Sequence, residues 1–172
     1  MTSESGFADV FEELLEANRS FAEHFAFGTL AAPPDRRLAI LTCMDARILP
    51  LRVCGLDVGE AHILRNAGGR VSDDVVRSLL VSTHALGVRA VAVVHHTECG
   101  MAKVVDDELR GQIEVVTGVR PDGVDFLAIG PDADAAIRDD VERLRSLRSL
   151  PAGTEIRGFQ YDVRTGVLRP VA

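Results

Sequence analysis

The sequence predicts an α/β fold: a single domain with a central, mostly parallel β-sheet flanked by helices. Three segments of strand length support this prediction, at residues 38–43, 61–66 and 89–96, and the first and third are largely apolar. Runs that are apolar throughout are typical of strands buried on both faces, as parallel strands are. Segments with helical spacing separate the runs, and this alternation is the pattern of a parallel sheet with crossover helices.

The first half of the chain carries a boundary signal for each element. Aromatic and aliphatic side chains recur at helical spacing over about the first 25 residues, which predicts an amphipathic helix that Pro33-Pro34 separates from the first strand. A short helical turn is expected over residues 48–54. Ser72 is a candidate N-cap for the next helix, which carries acidic residues in its first turn and stops near Gly87.

The second half is less regular. We expect Cys99 to open the helix that follows the third strand, whereas residues 112–130 are compatible with a loop that contains short helical pieces. A helix is predicted over 132–150 and a fourth strand over 155–163. A last short strand ends at Pro170.

Length and composition limit the possible functions. The 172 residues fit one domain, which we divide into an N-terminal helical arm (1–35) and an α/β core (36–172). A net charge of −7 argues against nucleic acid or an anionic membrane as the main partner. The start of the chain lacks a basic apolar leader, and no apolar stretch approaches the roughly 20 residues of a membrane span. We therefore expect a cytoplasmic protein with reduced cysteines.

Two cysteines and a histidine suggest a metal site. Cys43 ends the first strand, and His96 and Cys99 follow at the end of the third; in a parallel sheet such ends meet at one edge. Two thiolates and an imidazole suit tetrahedral zinc and leave one position open. Ordinary core residues or a redox pair are the alternatives.

Neighbouring residues suggest catalysis at this site. Asp45 is either a fourth metal ligand or is bonded to Arg47, and in the second arrangement it accepts a hydrogen bond from a reacting water. The loop after the second strand supplies the candidate substrate-binding residues Asn66, Gly68 and Gly69. His96 is preferred to His95 as the ligand, because His95 points to the opposite face of the strand.

These residues resemble the two signatures of the β-class carbonic anhydrases, Cys-x-Asp-x-Arg at 43–47 and His-x-x-Cys at 96–99. The segments 65–69 and 158–166 follow in the family's order, and the resemblance covers roughly residues 7–172. It departs from the family at Glu98, where Asp or Gly is more common.

The resemblance implies one Zn²⁺ per chain, bound by Cys43, His96 and Cys99, with Asp45 as a fourth ligand that is released to pair with Arg47 in the active form. It implies reversible hydration of carbon dioxide to bicarbonate and a proton, by attack of zinc-bound hydroxide. It also implies a homodimer or a higher multiple of dimers, with the N-terminal helix extending onto the partner subunit.

Two other functions remain compatible with these residues. Carbonyl sulfide and carbon disulfide hydrolases resemble the same family in zinc ligands and fold. The third possibility is a non-catalytic protein that senses zinc or bicarbonate.

Overall fold

The computed structural model describes residues 5–172, with side chains described from residue 9 onward. The predicted start of the domain at residues 1–4 and the side chain of Phe7 lie outside the described residues. The helices are α1 (Ser5–Glu23), α2 (Pro50–Val53), α3 (Asp73–His84), α4 (Asp106–Thr117) and α5 (Ala133–Arg145). The strands are β1 (Leu38–Cys43), β2 (Ala61–Asn66), β3 (Ala90–His96), β4 (Glu155–Tyr161) and β5 (Leu168–Pro170).

The chain divides into two units, residues 1–31 and 32–172. In the first unit α1 confirms the predicted N-terminal helix. From residue 9 onward its apolar side chains are exposed. Just after the helix, Phe25 lies with its ring centroid 5.6 Å from that of Phe21 and 5.7 Å from that of Phe27. The extension of this helix onto a partner subunit stays a prediction.

The second unit contains a five-stranded sheet in the order β2-β1-β3-β4-β5. All neighbouring strands are parallel except β4 and β5, so the predicted fold class is confirmed. β1 lies between β2 and β3, with Cys43 opposite Asn66 and Thr42 opposite Val94. This order places the carboxyl ends of β1, β2 and β3 along one edge of the sheet.

The main core lies between the sheet and the helices α3 and α5. Leu41 and Val93 are fully buried against Leu79 of α3 and Ile137 of α5. Gly158 of β4 allows α5 to approach closely, because a Cβ atom at this position would lie 2.4 Å from Ile137 Cγ2. The predicted Ser72 cap is confirmed, since its hydroxyl accepts a hydrogen bond from Val75 N–H.

Three predicted boundaries were wrong. Cys99 does not open an α-helix: its backbone is extended, and a single 3-10 turn follows at Gly100–Ala102. α4 begins only at Asp106 and ends at Thr117, so it includes the start of the ambiguous segment 112–130. α5 ends at Arg145 rather than 150, because the Ser146 hydroxyl bonds the Arg143 carbonyl in the last turn.

The fourth strand likewise ends at Tyr161 rather than 163, since the Asp162 carboxylate caps the next turn by accepting from the N–H groups of Arg164 and Thr165. None of the described helices has both the length and the apolar character required to cross a membrane.

Candidate metal centre

The structure brings together the three side chains that the sequence predicts as metal ligands. Cys43 lies at the end of β1, His96 at the end of β3, and Cys99 three residues later; all three are buried. One ligand atom from each lies within 4.8 Å of the other two. The two sulfur atoms are 3.9 Å apart, close to the roughly 3.8 Å that two thiolates 2.3 Å from a tetrahedral zinc ion would adopt.

The hydrogen bonds of His96 leave one ring nitrogen available to a metal. Nδ1 lies 2.8 Å from the carbonyl oxygen of Thr97, and a carbonyl only accepts, so Nδ1 carries the proton. Nε2 is buried and has no hydrogen-bond partner within the described part of the chain. Burial lowers the pKa of His96, which favours the neutral imidazole. A buried, neutral nitrogen beside two thiols fits a soft divalent cation such as zinc.

The protonation of Cys99 shows what such a cation would contribute. Burial raises the pKa of the Cys99 thiol to about 11. The 3-10 turn that follows Cys99 offers the Met101 N–H, which lowers this pKa by less than burial raises it. The positive charge of a metal ion is therefore required to hold Cys99 as a thiolate near neutral pH.

Asp45 is held by Arg47 through three hydrogen bonds. The guanidinium donates to Oδ1 at 2.9 Å and to Oδ2 at 2.7 Å, and the Arg47 backbone N–H donates to Oδ1 at 2.9 Å. These bonds hold the pKa of the Asp45 carboxyl well below its usual range. Asp45 Oδ2 lies 3.9 Å from His96 Nε2, so the carboxylate faces the ligands while Arg47 keeps it ionised.

Arg65 is a residue that the sequence reasoning did not single out. Its guanidinium donates to the carbonyl oxygen of Cys43 at 3.0 Å and to that of Asp45 at 2.7 Å. It thereby fixes the backbone of the segment that carries both residues. One available signal is a cation near the carboxyl end of a predicted strand; in the structure it is paired in register with Thr42, beside Cys43.

The candidate substrate-binding residues form a loop behind Cys43. The Asn66 side chain closes this loop by donating to the Arg70 carbonyl at 2.8 Å and accepting from the Arg70 N–H at 2.9 Å. Gly69 has a φ of +68°, and a Cβ atom there would lie 2.9 Å from the Cys43 nitrogen. Gly68 also has a positive φ and packs beside Met101. Contact of Asn66, Gly68 or Gly69 with substrate stays a prediction.

Glu98 forms a second acidic contact for Arg47. Its backbone has a φ of +57°, and its carboxylate pairs with Arg164 while Oε2 lies 3.6 Å from the Arg47 guanidinium. Arg47 is therefore placed between two carboxylates, those of Asp45 and Glu98.

Comparison with known proteins identifies relatives of this chain. A family model described as carbonic anhydrase matches residues 38–121. The β-carbonic anhydrase 1 of Mycobacterium tuberculosis is 40% identical, over 94% of this chain and 98% of that protein. A crystal structure of carbonic anhydrase from Streptococcus mutans superposes with a TM-score of 0.89 at 38% identity, covering 94% of this chain and 97% of that one. A carbon disulfide hydrolase of Saccharolobus solfataricus is 47% identical, over 80% of this chain and 78% of that protein.

Proposed function

Because this chain belongs to the β-carbonic anhydrase family, we propose that it catalyses the reversible hydration of carbon dioxide to bicarbonate and a proton, with one zinc ion per chain. Cys43, His96 and Cys99 hold the ion. The observation that carries this proposal is the buried His96 Nε2, which bears a free lone pair and lies within 4.8 Å of both sulfur atoms.

The chain's own residues prepare the site for this reaction. When bound, zinc supplies a Lewis acid that lowers the pKa of a coordinated water toward neutrality. Arg47 keeps Asp45 ionised, so the carboxylate only accepts hydrogen bonds. Asp45 then accepts a hydrogen bond from the attacking oxygen and directs the remaining lone pair of that oxygen toward the carbon of carbon dioxide.

We also propose that Asp45 acts as a catalytic residue in the arrangement the structure contains. To become a fourth ligand it would exchange its bonds with Arg47 for one to the metal and close the open position. The paired arrangement leaves that position for water or substrate, and Arg65 keeps the backbone of Asp45 in place in this arrangement. Asp45 and Arg47 thus form the unit that opens or closes the site.

Two features support a homodimer or a higher multiple of dimers, and a third supports a cytoplasmic location. A groove of about 400 Å³ opens on the sheet, with a largely apolar lining that includes Ile40, Val94 and Phe159. Apolar side chains of α1 are also exposed, and a partner subunit would bury such surfaces. The three cysteines are free thiols, as in a reducing compartment. Light scattering of the full chain tests the assembly.

The experiment that tests the function is stopped-flow carbon dioxide hydration on protein of measured zinc content, near pH 7 and near pH 9. We expect one zinc per chain and turnover that rises with pH. Cys99→Ala should lose zinc, whereas Asp45→Asn should keep zinc and lose most activity. The matched control is Cys54→Ala, which removes the half-buried third thiol and should keep both. Normal zinc content and turnover in Cys99→Ala would refute the ligand assignment.

A second candidate function is hydrolysis of carbon disulfide or carbonyl sulfide. The 47% identity to the S. solfataricus carbon disulfide hydrolase favours it. Parallel assays on the same protein decide between these substrates. Turnover of either sulfur compound, with carbon dioxide hydration no faster than the metal-free background, would replace the main proposal. Full zinc content without turnover of any of the three substrates would support the sensor alternative.

A further inference from the structure

A second cluster of buried charged and polar side chains lies directly behind the metal centre. It consists of Asp140 on α5, Arg70 after β2, and His95 on β3, and these side chains are only 4%, 12% and 0% exposed. None of the three takes part in the chemistry described above. Buried charges are costly to maintain, so a buried network of this kind calls for a physical explanation.

Asp140 is the centre of this cluster because its carboxylate accepts three hydrogen bonds. Oδ1 accepts from the Val71 backbone N–H at 3.1 Å. Oδ2 accepts from Arg70 Nε at 2.7 Å and from His95 Nε2 at 3.0 Å. The ionised carboxylate can satisfy all three donors at once, because it has two acceptor oxygens and no donor of its own.

The first partner of Asp140 connects it to the loop behind Cys43. The Arg70–Val71 segment follows Gly69, whose α-carbon packs against the Cys43 backbone, and the Asn66 side chain closes the same loop onto Arg70. A shift of Arg70 would therefore move Gly69 against the backbone of a metal ligand.

The other contacts reach the remaining sides of the centre. Arg70 also donates to the Ala128 carbonyl at 3.0 Å, and the next residue, Ile129, belongs to the apolar cluster that contains both ligand cysteines. His95 precedes the ligand His96 directly on β3, and its bond to Asp140 fixes this strand end against α5. One carboxylate thus connects the Gly69 loop, the Ile129 loop and the end of β3.

We propose that Asp140 is a positioning residue of the metal centre, which sets the placement of Cys43 through the Gly69 loop and of His96 through His95. The proposal rests on the proposed function, because it takes the three ligands to hold zinc. It requires that loss of the Asp140 carboxylate changes metal binding. A substitution elsewhere in α5 that only lowers the stability of the fold should leave metal binding unchanged.

The test is Asp140→Asn. Asparagine has only one acceptor oxygen. Its amide N–H groups would therefore face another donor, the N–H of either Val71 or Arg70, and one hydrogen bond would be lost. We expect zinc affinity, measured by chelator competition on folded protein, to fall at least tenfold. Losses of this size are typical when a residue that orients a metal ligand through hydrogen bonds is replaced. We also expect a changed visible spectrum after cobalt substitution and a roughly tenfold lower kcat. The matched control is Ile137→Val on the same helix, which removes a buried methyl group and should change none of the three.

Unchanged zinc affinity and an unchanged cobalt spectrum in folded Asp140→Asn would overturn the proposal. If that variant does not fold, Arg70→Lys takes its place: lysine keeps the charge but cannot span Asp140 and the Ala128 carbonyl with a planar fork. We expect its zinc affinity to fall three- to tenfold, and an affinity equal to that of the unmodified chain would overturn the proposal. An unmodified chain without carbon dioxide turnover would refute the proposed function alone, since the effects on zinc affinity and on the cobalt spectrum do not depend on it.

Discussion

Replacement of Gly69 by alanine tests how closely the loop behind Cys43 supports the metal centre. The backbone of Gly69 is left-handed, with a φ of +68°, and an added Cβ would lie 2.9 Å from both the Cys43 nitrogen and the Thr42 carbonyl carbon. Both atoms belong to the backbone of a central strand, so no flexible side chain can move aside. Gly87 provides the matched control, because its φ is +76° and nothing lies within 4 Å of the added Cβ.

The expected magnitude has two parts. An alanine in a left-handed conformation costs about 1–2 kcal/mol of unfolding free energy, and Gly87→Ala should show this cost alone. In Gly69→Ala the added carbon is at least about 0.5 Å short of an ordinary contact distance, and such overpacking costs a further ~1–3 kcal/mol. Since metal sites tolerate displacements of only about 0.5 Å, we also expect zinc affinity to fall by about 10- to 100-fold.

Two measurements on each variant separate these parts. Urea unfolding of protein from which a chelator has removed the metal gives the free energy of unfolding. Competition with a chromophoric chelator gives the zinc affinity. Gly69→Ala should be the less stable variant and the only one of the two with weakened zinc binding. Equal stabilities together with normal zinc affinity in Gly69→Ala would refute the idea that this loop positions Cys43.

Two further predictions concern α5. Gly158→Ala should lower the free energy of unfolding by about 1–3 kcal/mol, because the added Cβ would lie 2.4 Å from Ile137 Cγ2 and 3.0 Å from Val141 Cγ2. A loss under about 0.5 kcal/mol in urea unfolding would contradict this packing. Arg169 donates to Asp134 at 2.6 Å and lowers the pKa of that carboxyl. The pair therefore stabilises the fold above the unfolded-state pKa of about 3.8, and this stabilisation is lost as the pH falls below that value. Asp134→Asn should therefore cost about 0.5 kcal/mol or less at pH 7, and a difference from the unmodified chain that does not shrink between pH 5 and pH 3 would argue against the pair.

The strands and the ligand set were predictable because local patterns determine them. β1 and β2 have the predicted bounds, and β1 is a nearly continuous apolar run. The three candidate ligands were found from cysteine and histidine placed at or just after strand ends, and the structure brings them together. α4 was not delimited because none of its residues is fully buried, which leaves only a weak core-facing pattern in its sequence.

The supporting residues of the site were not predictable in the same way. Asp140 is 69 or 70 positions from its partners Val71 and Arg70, and Arg65 is 22 positions from Cys43. These contacts depend on the spatial order of the strands and on where α5 crosses the sheet. Neither can be read from hydrophobic periodicity, which reports only which face of an element is buried.

The positions of the ligands along the chain affect when the metal can act during folding. Cys43 and His96 lie on neighbouring strands, yet β2 and α3 separate them in sequence. An unfolded chain offers only the local pair His96 and Cys99, and the third ligand arrives when β1 pairs with β3. Zinc bound at this centre would therefore be loaded late and would not nucleate folding. The bound ion would join β1 to the end of β3, so its main kinetic effect would be to slow unfolding.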